Sequence, residues 1–298
     1  MKHYILANPF SGKKKGLKLA IATKKLLNKN NITADIIVSK YPKYFTKTVK
    51  KLSNEHKCRF YVLGGDGTLN EAISGIIGSD SEIVVIPCGT GNDFIKSVSS
   101  YLSMRKIIKK SINTPSTKTD VIKVNNDMYC VNILNCGFDA LVAKNVDIFR
   151  NFPLITGKMK YNLAILYTLL KNKNYKFKIK FDNDNSRVLK GHFTLVAVTN
   201  GKFYGGGISP CPEALVTDGI LNTCVIDSTT ILKKVRFFPK YNKSKHTTLK
   251  ECHMQNSKEV TIVSTKDFPV SIDGEVIYKK KLHLKVLPSA VNIVHIQK

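Results

Sequence analysis

The strongest constraint in this chain is a junction that recurs: a short apolar run ends, glycines follow, and a helical pattern begins. It occurs where "HYILA" (His3–Ala7) runs into "NPFSGKKKG", where "CRFYVLG" (Cys58–Gly64) runs into "GDGT", and where "EIVVI" (Glu82–Ile86) runs into "PCGTGNDF". Behind the first loop, "LKLAIATKKLLNKN" repeats apolar residues at Leu17, Leu19, Ala20, Ala22, Leu26 and Leu27, as a buried helix face requires. "ADIIVS" reads as a further strand, and "YFTKTVKKLSNEH", "LNEAISGII", "NDFIKSVSS" and "MRKIIKKS" as further helices. Strands alternating with helices build βαβ units and a mostly parallel sheet. Such sheets bind ligands beyond the carboxyl ends of their strands, where these loops gather.

The pattern changes near Thr117–Asp120. From there short β-rich runs dominate: "FKIKFD", "HFTLVAVTN", "ILNTCVID", "EVTIVS", "FPVSID", "HLKVL" and "VNIVHIQ". One clear helix, Lys160–Lys171, interrupts them. With 298 residues, the expectation is two domains. Residues 1–119 form an α/β domain with a mostly parallel sheet, and 120–298 an antiparallel β-rich, β-sandwich-like domain, with a cleft between. The last strand, about 289–298, is expected to pack back on the first domain.

The loops carry more than glycine. Gly64, Gly65 and Gly67 let the chain turn tightly and come close to a ligand, at a helix N-terminus that favours phosphate. Thr68 suits a cap or a phosphate contact. The third loop adds Gly89, Thr90, Gly91, Asn92 and Asp93, and the first adds Asn8, Ser11, Gly12 and Lys13. Carboxylates alone would repel a polyphosphate, whereas carboxylates with Mg²⁺ would hold it. The set therefore implies a Mg–nucleotide, without a G-x-x-x-x-G-K-[ST] loop.

Lysine and arginine number 48 against 21 acidic residues, a formal net charge of +27. That favours polyanionic partners, unless it merely solvates the surface. Seven cysteines stand singly, with no C-x-x-C pair, which argues against a disulfide framework or a structural zinc site and for reduced thiols in the cytoplasm. The seven histidines show no metal-ligand spacing and default to structural roles. "MKHYILANPF" reaches Asn8-Pro9 too soon for a signal peptide, and no apolar run approaches the ~18 residues of a membrane span.

"GGDGTLNE" together with "GTGNDF" resembles the soluble diacylglycerol kinase-like lipid kinases, which share a catalytic domain with sphingosine and ceramide kinases. The likeness continues through "NPFSG", "TKTDV", "VNILNCGFDA", "TNGKFYGGGISPCPEALVTDGIL" and "SIDGE". It implies an N-terminal fold like that of NAD kinase and phosphofructokinase, with ATP and Mg²⁺ as cofactors. ATP would be lined by Asn8, Pro9, Phe10, Ser11, Gly12, Lys13, Ser39, Gly65, Asp66, Gly67, Thr68, Leu69, Asn70, Glu71, Thr90 and Asn92. Asp66 would act through the phosphate-bridging metal, with the catalytic candidate Asp93 and Asn92 nearby, and Glu275 would be the general base on a lipid hydroxyl, diacylglycerol giving phosphatidic acid. Asp120 would support the cleft. A structural Mg²⁺ would take the Asp218 carboxylate and the Leu215 and Ile220 carbonyls. Read from the residues alone, Asp273-Gly274 is a hairpin corner.

The implied partners are ATP and a lipid at an anionic membrane surface, met peripherally from the cytoplasmic side. No nucleic-acid module is recognisable, and a homodimer is left open. Lysine clusters at Lys171–Lys180, Lys233–Lys245 and Lys279–Lys281 suit such a surface, with Phe237, Phe238 and Tyr241 placed to insert. The competing readings are an NAD kinase-like or other small-molecule kinase, which shares G-G-D-G, and a non-catalytic nucleotide-binding regulator.

Overall fold

In the computed structural model, which describes residues 1–11, 16–88, 92–100, 102–149, 152, 157–171 and 173–296, the apolar runs of the first third become adjacent strands. β1 (Lys2–Ala7), β2 (Ala34–Val38), β3 (Cys58–Gly64) and β4 (Glu82–Pro87) lie in the order β4-β3-β1-β2, every pair parallel. Every residue of β3 is buried, as a strand covered on both faces must be. One face carries α1 (Gly16–Asn28) and α5 (Met104–Asn113), packed on Ile5, Tyr61, Val84 and Ile86. The other carries α2 (Tyr44–Glu55) and α3 (Asp66–Ile76), packed on Leu6, Phe60, Val62 and Ile83. "NDFIKSVSS" yields only the single-turn α4 (Ile95–Val98).

The second part is antiparallel. Its strands are β5 (Thr117–Val124), β6 (Met128–Cys130), β7 (Ile133–Gly137), β8 (Tyr175–Phe181), β9 (Val188–Thr199), β10 (Leu221–Asp227), β11 (Cys252–Ser257), β12 (Glu259–Ile272) and β13 (Glu275–Ile293). β9 and β12 each pair with β8 along one half and with β7 along the other, so these four strands close on themselves. The core inside holds Phe177, Phe181, Phe193, Phe268 and Leu282.

Two features depart from the sequence pattern. "HLKVL" and the first three residues of "VNIVHIQ", expected in separate strands, belong to β13, which stays continuous through an irregularity between Leu287 and Val291 where Ser289 has φ 54°. Two helices join the one expected: α6 (Phe138–Asn145) and α8 (Ile231–Asn242) flank α7 (Gly157–Lys171). α8 holds Pro239 inside it, a residue that sequence rules read as a break. The three helices cover Leu195, Ala197, Cys224 and Ile226 on the outer face of β9 and β10.

β13 joins the two parts. It pairs antiparallel with β5 across the 119/120 boundary, then parallel with β4 through Asn292 and Ile293. Among the described residues no helix is long and apolar enough to cross a membrane.

Candidate functional site

The loops at the ends of β1, β3 and β4 interlock. The Asn8 side-chain amide donates to Thr68 Oγ1 at 3.1 Å, while its Oδ1 accepts the Phe10 N–H at 3.0 Å. Ser11 N–H returns to the Asn8 carbonyl, and Ser39 N–H to that of Ala7, so the ends of β1 and β2 are level. Pro9 is half-buried and Phe10 is 81% exposed. Gly12, Lys13 and Thr90, expected at this site, lie outside the described residues.

α3 begins directly on the β3 turn. A Cβ on Gly64 would fall 2.3 Å from the Thr68 Cβ, so only glycine fits beneath the first helical turn. At Gly67 a Cβ would meet nothing nearer than Glu275 Oε1 at 4.0 Å. Asp66, the first residue of α3, accepts the Asp93 and Phe94 amides at 3.3 Å each. Burial raises its pKa, the two amides oppose that, and the Asp273 and Asp93 charges add to the rise.

Leu69, Asn70 and Glu71 of α3 are engaged elsewhere as well. Leu69 is core. The Glu71 carboxylate accepts the Lys43 and Phe45 amides at 2.9 and 3.2 Å, closing the N-terminus of α2. Asn70 donates to the Tyr129 carbonyl and to Asp273, both at 2.8 Å.

Asp93 is buried and bridges the two parts: Lys96 Nζ lies 2.6 Å from one oxygen, and the Gly206 N–H donates to the other at 2.8 Å. Its neighbour Asn92 adopts φ 50°, a left-handed conformation that asparagine tolerates.

Asp273 and Gly274 form the two-residue turn between β12 and β13, with φ 48° and 97°. The Asp273 carboxylate accepts from the amides of Val131, Asn132 and Ile133, from Asn70 Nδ2 and from the Cys130 thiol, at 2.7–3.2 Å. This turn is therefore a hairpin corner, and it also carries the exposed Glu275 to the glycines of the first part. Asp273 was read from the sequence only as a turn residue, and Lys96 and Gly206 were not singled out. The D-G and G-G-G runs marked their places, but nothing local marked their partners.

Asp120 holds a second turn. Its oxygens accept the Gly219 and Ser289 amides at 2.7 Å each, and its own N–H donates to the Val216 carbonyl. Asp218 is exposed and accepts the Ile220 amide at 3.0 Å. Partial burial raises its pKa, the Ile220 amide opposes that, and Asp120 adds to the rise. Leu215 sits exposed on the same loop.

Above β9 and β10, α6, α7 and α8 border a small apolar cavity, partly open to solvent, lined by Phe138, Leu169, Leu195, Ile226, Phe237 and Phe238. Asp139 at its wall accepts hydrogen bonds from the Tyr204 and Tyr241 hydroxyls, and burial raises its pKa to about 6. Tyr241 is buried in this cluster rather than set to insert in a membrane. The apolar residues that α8 turns outward include Leu232, 79% exposed, and Val235.

Comparison with known proteins follows this division. The diacylglycerol kinase catalytic domain family matches residues 2–124, and the YegS C-terminal NAD kinase beta sandwich-like domain family matches residues 132–295. A Staphylococcus carnosus protein named "Putative lipid kinase" is 28% identical over 240 residues, covering 80% of this chain and 76% of that protein. A Staphylococcus aureus protein of the same description is 28% identical over 243 residues, covering 78% and 76%. A solved Bacillus anthracis structure, titled as a putative diacylglycerol kinase, superposes with TM-score 0.81 at 23% identity over 99% of this chain and 97% of that one.

Proposed function

The chain belongs to the diacylglycerol kinase-like lipid kinase family, and on that premise we propose that it is an ATP- and Mg²⁺-dependent kinase whose acceptor is diacylglycerol. The observation that carries the reading is the approach of Glu275 to Gly67. A carboxylate from the antiparallel part faces the glycine turn of the α/β part, across the cleft where phosphate and alcohol would meet.

The geometry supports the following roles. Amides at the N-terminus of α3 cradle the phosphates, with the side-chain-free face of Gly67 allowing close approach. The acceptor hydroxyl oxygen bonds to the terminal phosphorus as the bond to the ADP oxygen breaks, and Glu275 takes the hydroxyl proton. Asp66 fits a divalent cation, because its half-buried carboxylate has only two long amide contacts and feels the Asp93 and Asp273 charges. Mg²⁺ held there would neutralise charge on the transferring phosphoryl group. The turn around Asp218, with Asp120 behind it, suits a structural cation with the Leu215 and Ile220 carbonyls. Asn70, Glu71 and Asp93 act by positioning, through the bonds described.

The apolar residues lining this small cavity offer a surface against which an acyl chain could lie. Leu166, Leu170, Leu232 and Val235 are exposed on α7 and α8, interspersed with Lys171, Lys233, Arg236 and Lys240. This face suits peripheral docking on an anionic cytoplasmic leaflet.

Labelled ATP offered with a lipid panel tests the proposal. Wild type is expected to label diacylglycerol. Glu275→Gln and Asp66→Ala should lose activity by about 10²–10⁴-fold. A lipid product undiminished in both variants refutes the site, and labelling of NAD in place of lipid refutes the acceptor class.

A further inference from the structure

The antiparallel register of β10 and β11 sets Cys224 opposite Met254 and Ile226 opposite Cys252. Cys224 and Cys252 are thus diagonal neighbours, with sulfurs 3.6 Å apart beneath α8. His246 reaches the same place from the segment joining α8 to β11 and is fully buried. One ligand atom from each of Cys224, His246 and Cys252 lies within 4.8 Å of the others. The Met254 thioether, 3.7 Å from Cys252 Sγ, and the buried Cys211 thiol border the group.

Packing explains buried cysteines, which behave as small apolar groups. It does not explain the imidazole. His246 Nε2 lies 2.9 Å from the Pro210 carbonyl, which can only accept, so Nε2 carries the proton and Nδ1 keeps its lone pair. Nδ1 is buried with no hydrogen-bond partner. A buried polar atom left unmatched calls for a specific reason.

The sulfur separation supplies one. Two thiolates on one tetrahedral zinc at about 2.3 Å stand about 3.8 Å apart, whereas a disulfide needs about 2.05 Å. The observed 3.6 Å is close to that tetrahedral edge and far from a disulfide. We propose that Cys224, Cys252 and His246 Nδ1 bind one Zn²⁺, with a water as the fourth ligand of the tetrahedron. Binding forms two Zn–S bonds and one Zn–N bond, and the two zinc-bound thiols release their protons to solvent. The ion would fasten the segment after α8 to the edge of the sheet, and so brace the helix that walls the apolar cavity. The ligands come from separate segments, which is why no C-x-x-C or H-x₃-H spacing announces them.

The test uses the full chain, reduced, in excess Mg²⁺. It is loaded with Zn²⁺ or Co²⁺, desalted and analysed for bound metal, and the cobalt form is examined by absorption spectroscopy. One equivalent of zinc is expected in wild type and in a Cys88→Ser control, with tetrahedral cobalt bands and thiolate-to-cobalt charge transfer. Cys224→Ser/Cys252→Ser should lose both signals, and His246→Gln should bind about tenfold more weakly or worse. A wild-type cobalt spectrum without thiolate charge transfer overturns the site even if the variants fail to fold. So does zinc retention equal in wild type and the double variant, or a Cys224–Cys252 disulfide that forms as readily with zinc present as without it.

Discussion

Asn70 Nδ2 donates to the Asp273 carboxylate at 2.8 Å, joining residues 203 positions apart in the chain. Through this bond the helix that starts at the glycine turn is fixed to the hairpin that carries Glu275. Asp273→Ala would leave the Val131, Asn132 and Ile133 amides without their acceptor. The expected loss is about 3 kcal/mol or more, read as a lower urea midpoint at unchanged slope. Asn70→Ala should cost about 1 kcal/mol. The two substitutions should be less than additive, because they share a bond.

Asp139 gives a pH dependence with a definite sign. Burial raises its pKa from 3.8 to about 6 in the native state. The fold favours the protonated form, so this stabilisation is complete below about pH 4 and is lost as the pH rises through about 6. The change is about 3 kcal/mol. Asp139→Asn keeps an acceptor for Tyr204 and Tyr241 and has no proton to lose. The difference in unfolding free energy between wild type and variant, followed from pH 4 to 7, should therefore move in favour of the variant. A difference that stays flat would refute the assignment.

Glu71 sits inside the glycine motif, yet its carboxylate closes the N-terminus of α2. Glu71→Ala should cost about 1–2 kcal/mol, measured by thermal or urea unfolding. Glu71→Gln, which retains one acceptor, should fall between the two.

The α8 surface separates docking from packing. Leu232→Glu should weaken partition onto anionic vesicles by about tenfold and leave the unfolding midpoint almost unchanged. Tyr241→Ala should do the reverse, because its ring is buried and its hydroxyl bonds Asp139. Wild-type binding should fall as salt is raised. Sedimentation with vesicles across a salt series reads all three.

The sequence conveyed what is local. Apolar runs, glycine turns and the D-G corner each reported their own conformation, so the strands of the first part and the Asp273-Gly274 turn were readable residue by residue. Partners across long separations were not: nothing near Glu71 indicates the amides of α2, and nothing near Asp93 indicates Gly206. α8 was obscured because Pro239 and a dense run of lysines hide an amphipathic helix whose apolar side meets the cavity. The aromatic residues of "VRFFPKY" promised a membrane contact, but the helical phase turns Tyr241 inward and Leu232 outward.

β13 has a further consequence, for the order in which the molecule can be made. The Asn292 side chain bonds the Ser81 carbonyl, 211 residues earlier, and Asn292 and Ile293 complete the edge of β4. During synthesis the α/β part emerges first, but its sheet keeps an open edge until a strand translated long afterwards arrives. An unpaired edge is a template for association with other chains. The α/β part of this polypeptide therefore leaves the ribosome with the β4 edge unpaired until its own distant strand covers it.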